Sequence, residues 1–164
     1  MFFFKEKKKS KNECEELKAF ISGKAISITD VKDDVFSAKM LGDGLAIIPE
    51  NDEVIVSPSE GEVTFLAEDT RHAIGISLNN GVEILIHVGL DTLKMKGEGF
   101  VYHVKEGDKV KTGDKLMNFD KHLIEKNGLD PVCILVVTNS DEHKISKYCV
   151  NQNVKSGESS IMFF

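Results

Sequence analysis

Two apolar runs flank Asn79-Asn80-Gly81 in the segment HAIGISLNNGVEILIHVGLDT, and this hairpin constrains the fold of the chain more than any other feature. Asn and Gly tolerate the positive φ of a tight turn, so Ala73–Leu78 and Val82–Val88 are read as paired antiparallel strands. Both alternate faces of the pair are largely apolar, which places it centrally in a sandwich. The register then decides what the two histidines do. With Asn79-Asn80 as a two-residue loop, His72 lies directly opposite His87; with Asn80-Gly81 as the loop, the two are diagonal neighbours. Either register puts them on one face with Ile74, Ile76, Leu78 and Leu85, their Cβ atoms roughly 4.5–8 Å apart. A three-residue loop would put them on opposite faces, because a slip of one residue turns every side chain over. Two neutral imidazoles side by side can be a stacked structural pair, a nucleophile with a proton donor, or half of a metal site.

The rest of the chain extends the β reading. Lys24–Ile28, Leu45–Ile48, Val54–Val56, Val63–Leu66, Val101–Val104, Lys115–Phe119 and Val132–Val137 are short apolar runs bounded by Gly, Pro, Asn and Asp. Many short strands at close spacing predict an all-β fold, an antiparallel sandwich or flattened barrel. Helix signals are limited to Asp120–Lys126, which opens on an acidic cap and closes at Asn127-Gly128, and to Asp141–Tyr148. Within Lys105–Leu116 the sequence EGDKVKTGDKL carries two Gly-Asp turns.

Charge and composition exclude several functions. The chain has 164 residues, 27 acidic and 21 basic side chains and a net charge of −6, and its single arginine is Arg71. Such a balance lacks the basic stripe that binds nucleic acid. The three cysteines, Cys14, Cys133 and Cys149, have no CxxC spacing and fit a reducing cytoplasm. No phosphate loop, dinucleotide fingerprint, GxSxG elbow or HExxH motif occurs. Residues 1–18 stand apart as a flexible, charged segment before a single domain over 19–164. Met1–Phe4 followed by Lys5–Lys11 reads either as a frayed terminus or as a short amphipathic anchor for anionic lipid.

TRHAIGI, GVEILIHVGLDTLKMKGEGF and EGDKVKTGDKL occur in this order, with VFSAKMLGDGLAIIPE (Val35–Glu50) before them and VVTN (Val136–Asn139) after. Together they resemble the glucose-family enzyme IIA component of the bacterial phosphoenolpyruvate-dependent sugar phosphotransferase system. The resemblance implies an antiparallel β-sandwich of duplicated hybrid topology with one or two short helices. It also implies a cytoplasmic phosphoryl carrier, a phosphotransferase component that takes phosphate from phospho-HPr and passes it to the IIB cysteine of a sugar permease. His87 matches the acceptor, His72 its companion and Thr70 a threonine of the same site. Asp33 and Asp91 match acidic positions facing the arginines of HPr, and Val35, Met40, Leu41, Leu85 and Leu93 match an apolar docking rim. No cofactor, no direct sugar binding, no nucleic acid, peripheral membrane association at most and a monomeric state follow. The alternative is a non-enzymatic regulatory module of the same fold that binds partners through the histidine pair, with a zinc ion shared at His72 and His87 left open. The chain departs from the family pattern at Phe20 and Lys32, where proline is common, and at Glu68-Asp69, which make the approach to Thr70 more acidic.

Overall fold

A computed structural model describes residues 16–164; the expected anchor at Met1–Lys11 lies outside the described residues. Short runs punctuated by turn residues become strands. They are β1 Glu16–Lys18, β2 Gly23–Ser27, β3 Asp43–Pro49, β4 Val54–Val56, β5 Gly61–Leu66, β6 Ala73–Leu78 and β7 Glu83–Val88. The second half adds β8 Phe100–Tyr102, β9 Lys109–Val110, β10 Lys115–Phe119, β11 Cys133–Val137, β12 Lys147–Tyr148, β13 Gln152–Val154 and β14 Ser160–Phe163. An eight-stranded antiparallel sheet runs in the order β13-β2-β3-β11-β7-β6-β5-β9, and two smaller sheets run β1-β14-β12 and β4-β10-β8. The main core lies between the large sheet and the small ones, joining Leu45, Ile74, Ile86 and Leu135 to Leu17, Ile161, Ile55 and Phe119. The sheets are open, so the fold is an antiparallel sandwich and not a barrel.

Strand β11 explains how the large sheet carries a site on its outer side. All five of its residues are buried: Cys133, Leu135 and Val137 enter the main core, and Ile134 and Val136 point the other way. That second face is covered by a 3-10 turn, Ile28–Asp30, and a short helix, Asp34–Ser37. They bring Ile28, Val31 and Phe36 onto Ala46, Ile134 and Val136. His87 pairs with Ile134 and Leu85 with Val136, so both sit on this outer face at the margin of its cover.

Four expectations are corrected. The hairpin loop has three residues, with Leu78 N–H donating to Val82 O at 2.8 Å and Gly81 N–H to Leu78 O at 3.0 Å. Asn80 Oδ1 accepts from Val82 N–H, and Gly81 takes the left-handed φ of +90° that closes such a loop. Ala73 therefore faces His87, and Ile74 and Ile76 face Ile86 and Ile84 in the core, not the side occupied by Leu85 and His87. Asp141–Tyr148 is not a helix. Asn139 O accepts from Glu142 and His143 N–H to make a single turn, after which Lys147–Tyr148 pairs with β14. The second helix is instead Asp34–Ser37; the other, Lys121–Lys126, is capped by Asp120 as expected. Finally, Glu16–Lys18 belongs to the folded body rather than to the terminal segment, because it pairs with β14 and Leu17 is fully buried.

Candidate functional site

His72 reaches His87 by a route the register alone would forbid. It precedes the first ladder residue of β6 and follows Arg71, whose φ of +53° is left-handed. Outside the strand, His72 is released from its alternation. Its carbonyl still accepts from Val88 N–H at 2.8 Å, which holds the backbone beside β7. The two rings meet edge to face, with centroids 4.7 Å apart and planes at 87°. Phe36 closes on His87 from the second cluster, its ring centroid 5.0 Å away. Thr70 Oγ1 and His72 Nδ1 share a hydrogen bond of 2.7 Å.

The setting makes both imidazoles neutral at physiological pH. His87 has its pKa lowered to about 4, first by burial and then by repulsion from His72; the Gly89 backbone, Asp33 and Asp91 act in the opposite direction. Burial lowers His72 as well. The Nδ1 atom of His87 is buried without a hydrogen-bond partner, the Gly89 backbone favouring its protonated form without completing a bond. A neutral ring in partly dry surroundings keeps a lone pair available for attack. Among the described residues no three His, Cys, Asp or Glu side chains converge, so the pair offers only two of the four ligands zinc usually takes.

Several apolar side chains expected at the rim are exposed. Met40 is 70% and Leu93 52% exposed, far more than a core assignment would allow, and Val35 and Leu41 are exposed with them. Leu85 is half-buried between the strands. Phe65 belongs here too: it lies opposite Gly75, which lies opposite Leu85, and it is exposed. The register shift between Val63 and Phe65 brings it to this face, and no sequence alternation signals such a bulge. Asp33 caps the helix that carries Phe36, its Oδ1 accepting from Val35 N–H at 2.9 Å. Asp91 is exposed in a left-handed conformation after β7. Phe36 also escaped the sequence reading, since nothing separates it from an ordinary core phenylalanine.

An antiparallel β-sandwich that bears two touching, neutral histidines is a recognisable class of protein. Comparison with known proteins makes the class particular. Residues 15–143 match the family model described as phosphoenolpyruvate-dependent sugar phosphotransferase system, EIIA 1, and the chain belongs to that family. It is 45% identical over 153 residues to the PTS system glucose-specific EIIA component of Bacillus anthracis, covering 93% of this chain and 92% of that one. It is 49% identical over 126 residues to the PTS system beta-glucoside-specific EIIBCA component of Bacillus subtilis (strain 168), covering 77% of this chain and 20% of the larger one. Among solved structures, glucose permease IIA from Mycoplasma capricolum is similar with a TM-score of 0.80 and 33% identity, over 90% of this chain and 93% of that one. The chain is thus a component of the sugar phosphotransferase system with a phosphoryl-carrier role. No helix among the described residues is long and apolar enough to cross a membrane.

Proposed function

We propose that His87 is the phosphoryl acceptor, taking the group from the phosphohistidine of HPr and passing it to the cysteine of a IIB domain. The single observation that carries this reading is the edge-on His72–His87 contact, with Thr70 engaged on Nδ1 of His72. Burial of His87 Nδ1 leaves Nε2 as the nitrogen for a partner. Its lone pair forms the new N–P bond as the bond to the donor's imidazole breaks, the electron pair leaving with that ring. The loose transition state places charge on three phosphoryl oxygens. If the Thr70 hydroxyl donates to His72 Nδ1, the ring proton resides on Nε2, and His72 becomes a donor to those oxygens. Onward transfer reverses the roles: the IIB thiolate sulfur bonds phosphorus and His87 departs as a neutral imidazole. Relatives that join EIIA to B and C units in one chain support a IIB partner.

The apolar margin of Val35, Met40, Leu41, Leu85 and Leu93 serves as the docking surface and keeps water from a labile N–P bond. Asp33 and Asp91 meet the partner's arginines. Residues 19–164, with β1 added, act as one cytoplasmic carrier domain that is monomeric, since the same face must serve two partners in turn.

Incubation of the full chain with phosphoenolpyruvate, enzyme I and HPr tests the reading. An acid-labile, base-stable phosphohistidine is expected, and its absence overturns the proposal. His87→Gln should take no label. His72→Gln, whose amide still donates, should accept the group yet transfer it onward about a hundredfold more slowly. Label on His72 in the His87→Gln variant would reverse the assigned roles.

A further inference from the structure

The segment that presents Thr70 and His72 is a narrow-necked loop, and its neck is closed by a residue from the other sheet. Ala67 N–H donates to Ala73 O at 3.2 Å, a weak closure, and Arg71 N–H donates to Ala67 O at 2.8 Å within the loop. The Tyr102 hydroxyl lies against both carbonyls at once, 2.6 Å from Ala73 O and 3.1 Å from Ala67 O. Tyr102 stands on β8, paired with Met117 in the small sheet β4-β10-β8, whereas Ala73 begins β6 of the large one. A single hydroxyl therefore ties the two ends of the Ala67–Ala73 loop to each other and to the opposite layer of the sandwich. Gly97, in the connection that leads into β8, also lies close against the loop: a Cβ added there would be 2.7 Å from Asp69 O and 3.6 Å from Arg71 Cδ.

We infer that Tyr102 is a positioning residue for phosphoryl transfer, holding Arg71 in its left-handed turn so that Thr70 engages His72 and His72 meets His87. This rests on the proposed role of the histidine pair. A non-glycine residue at positive φ persists only where its surroundings over-determine it. The loop has few other fixings: Glu68, Asp69 and Arg71 are exposed. One proton serves both carbonyls, directed mainly at Ala73 O, with Ala67 O as the weaker acceptor. Burial pushes the Tyr102 pKa up to about 12, so the hydroxyl stays a donor throughout the working range. Each carbonyl retains a backbone donor when the hydroxyl is removed, so its loss loosens the neck without orphaning a buried group.

The test is Tyr102→Phe, which keeps the ring packed against the core and removes only the oxygen. Three measurements are made on it, on Thr70→Val and on the double variant: thermal melting, the NMR titration of His72, and single-turnover transfer from phospho-HPr and to IIB. Tyr102→Phe should stay folded, with His72 titrating at higher pH as it loses the Thr70 hydroxyl and gains water. Onward transfer should slow about fivefold, the scale of one neutral hydrogen bond. The double variant should resemble Thr70→Val alone, because both changes break the same link. An unchanged His72 titration in Tyr102→Phe, or effects that simply add in the double variant, would overturn the inference. The titration needs no phosphoryl donor, so a wild-type chain that takes no label refutes the proposed function while Tyr102 is still judged on His72.

Discussion

His87 and His72 touch, yet they are not equivalent: one is sunk beneath Phe36 with a buried, unpartnered nitrogen, and the other sits half-buried on a loop with its nitrogen engaged by Thr70. That difference has a pH signature. Both folded-state pKa values lie below the ordinary histidine value of about 6.5. The unfolded chain therefore binds more protons than the folded one between about pH 4 and about pH 6.5. Stability is complete above that window and is lost as pH falls through it, with His87 accounting for on the order of 3 kcal/mol. Denaturant unfolding at pH 7 and pH 4.5 should show this loss in the wild type and much less of it in His87→Gln; an equal loss in both would refute the assignment. The contact between the rings was legible in the hairpin, but for the wrong reason. The sequence reading needed a two-residue loop, whereas a three-residue loop is used and the left-handed Arg71 restores the contact. Nothing in a single sequence marks an arginine for positive φ, and Tyr102 was equally silent because its two acceptors are backbone carbonyls.

The elements that carry the site are short, and their stability comes from partners rather than from propensity. A helix of four residues such as Asp34–Ser37 is far below the length that stands alone in water. It is held by the Asp33 cap at one end and by Phe36 in the second cluster. Asp33→Ala should cost about 1 kcal/mol of unfolding free energy, whereas Asp33→Asn, an equally good cap, should cost only a few tenths. Chemical denaturation of the two variants decides this, and equal losses would mean that the carboxylate acts by charge and not as a cap. The same shortness set the limit of reading strands. β6 and β10 match their expected bounds, since each is a run of five or six residues between clear turn signals. β1, β9, β12, β13 and β14 were missed; each has two to four residues and exists through its ladder partner. Asp120 and the Gly-Asp turns were readable because their chemistry is local: Asp108 Oδ2 accepts from Lys105 N–H and Asp114 Oδ2 from Lys111 N–H.

Across the whole chain, excess acid and exposed apolar side chains would act on different stages of the proposed encounter. In the proposed encounter the net charge of −6, with the carboxylates of Asp33 and Asp91, supplies a negative field, and the exposed side chains of Met40 and Leu93 supply contact area that salt does not screen. Charge should therefore govern how fast an arginine-bearing partner arrives, and apolar contact how long it stays. Asp33→Asn and Asp91→Asn isolate the first effect. Asparagine caps a helix as aspartate does, and it tolerates the left-handed φ of +59° at position 91, so neither change disturbs the backbone. At low ionic strength each should slow association with phospho-HPr about two- to fivefold, within the roughly 1 kcal/mol available to an exposed pair in water. The dependence on salt should flatten with it, since exposed charges are screened over a length of about 10 Å at 0.1 M ionic strength. Dissociation should change little in either variant. Met40→Ala should do the reverse, shortening the lifetime of the complex while leaving the salt dependence of its formation intact. Stopped-flow association over a range of salt concentrations measures all three variants, and an unchanged salt slope in both aspartate variants would remove Asp33 and Asp91 from the encounter surface.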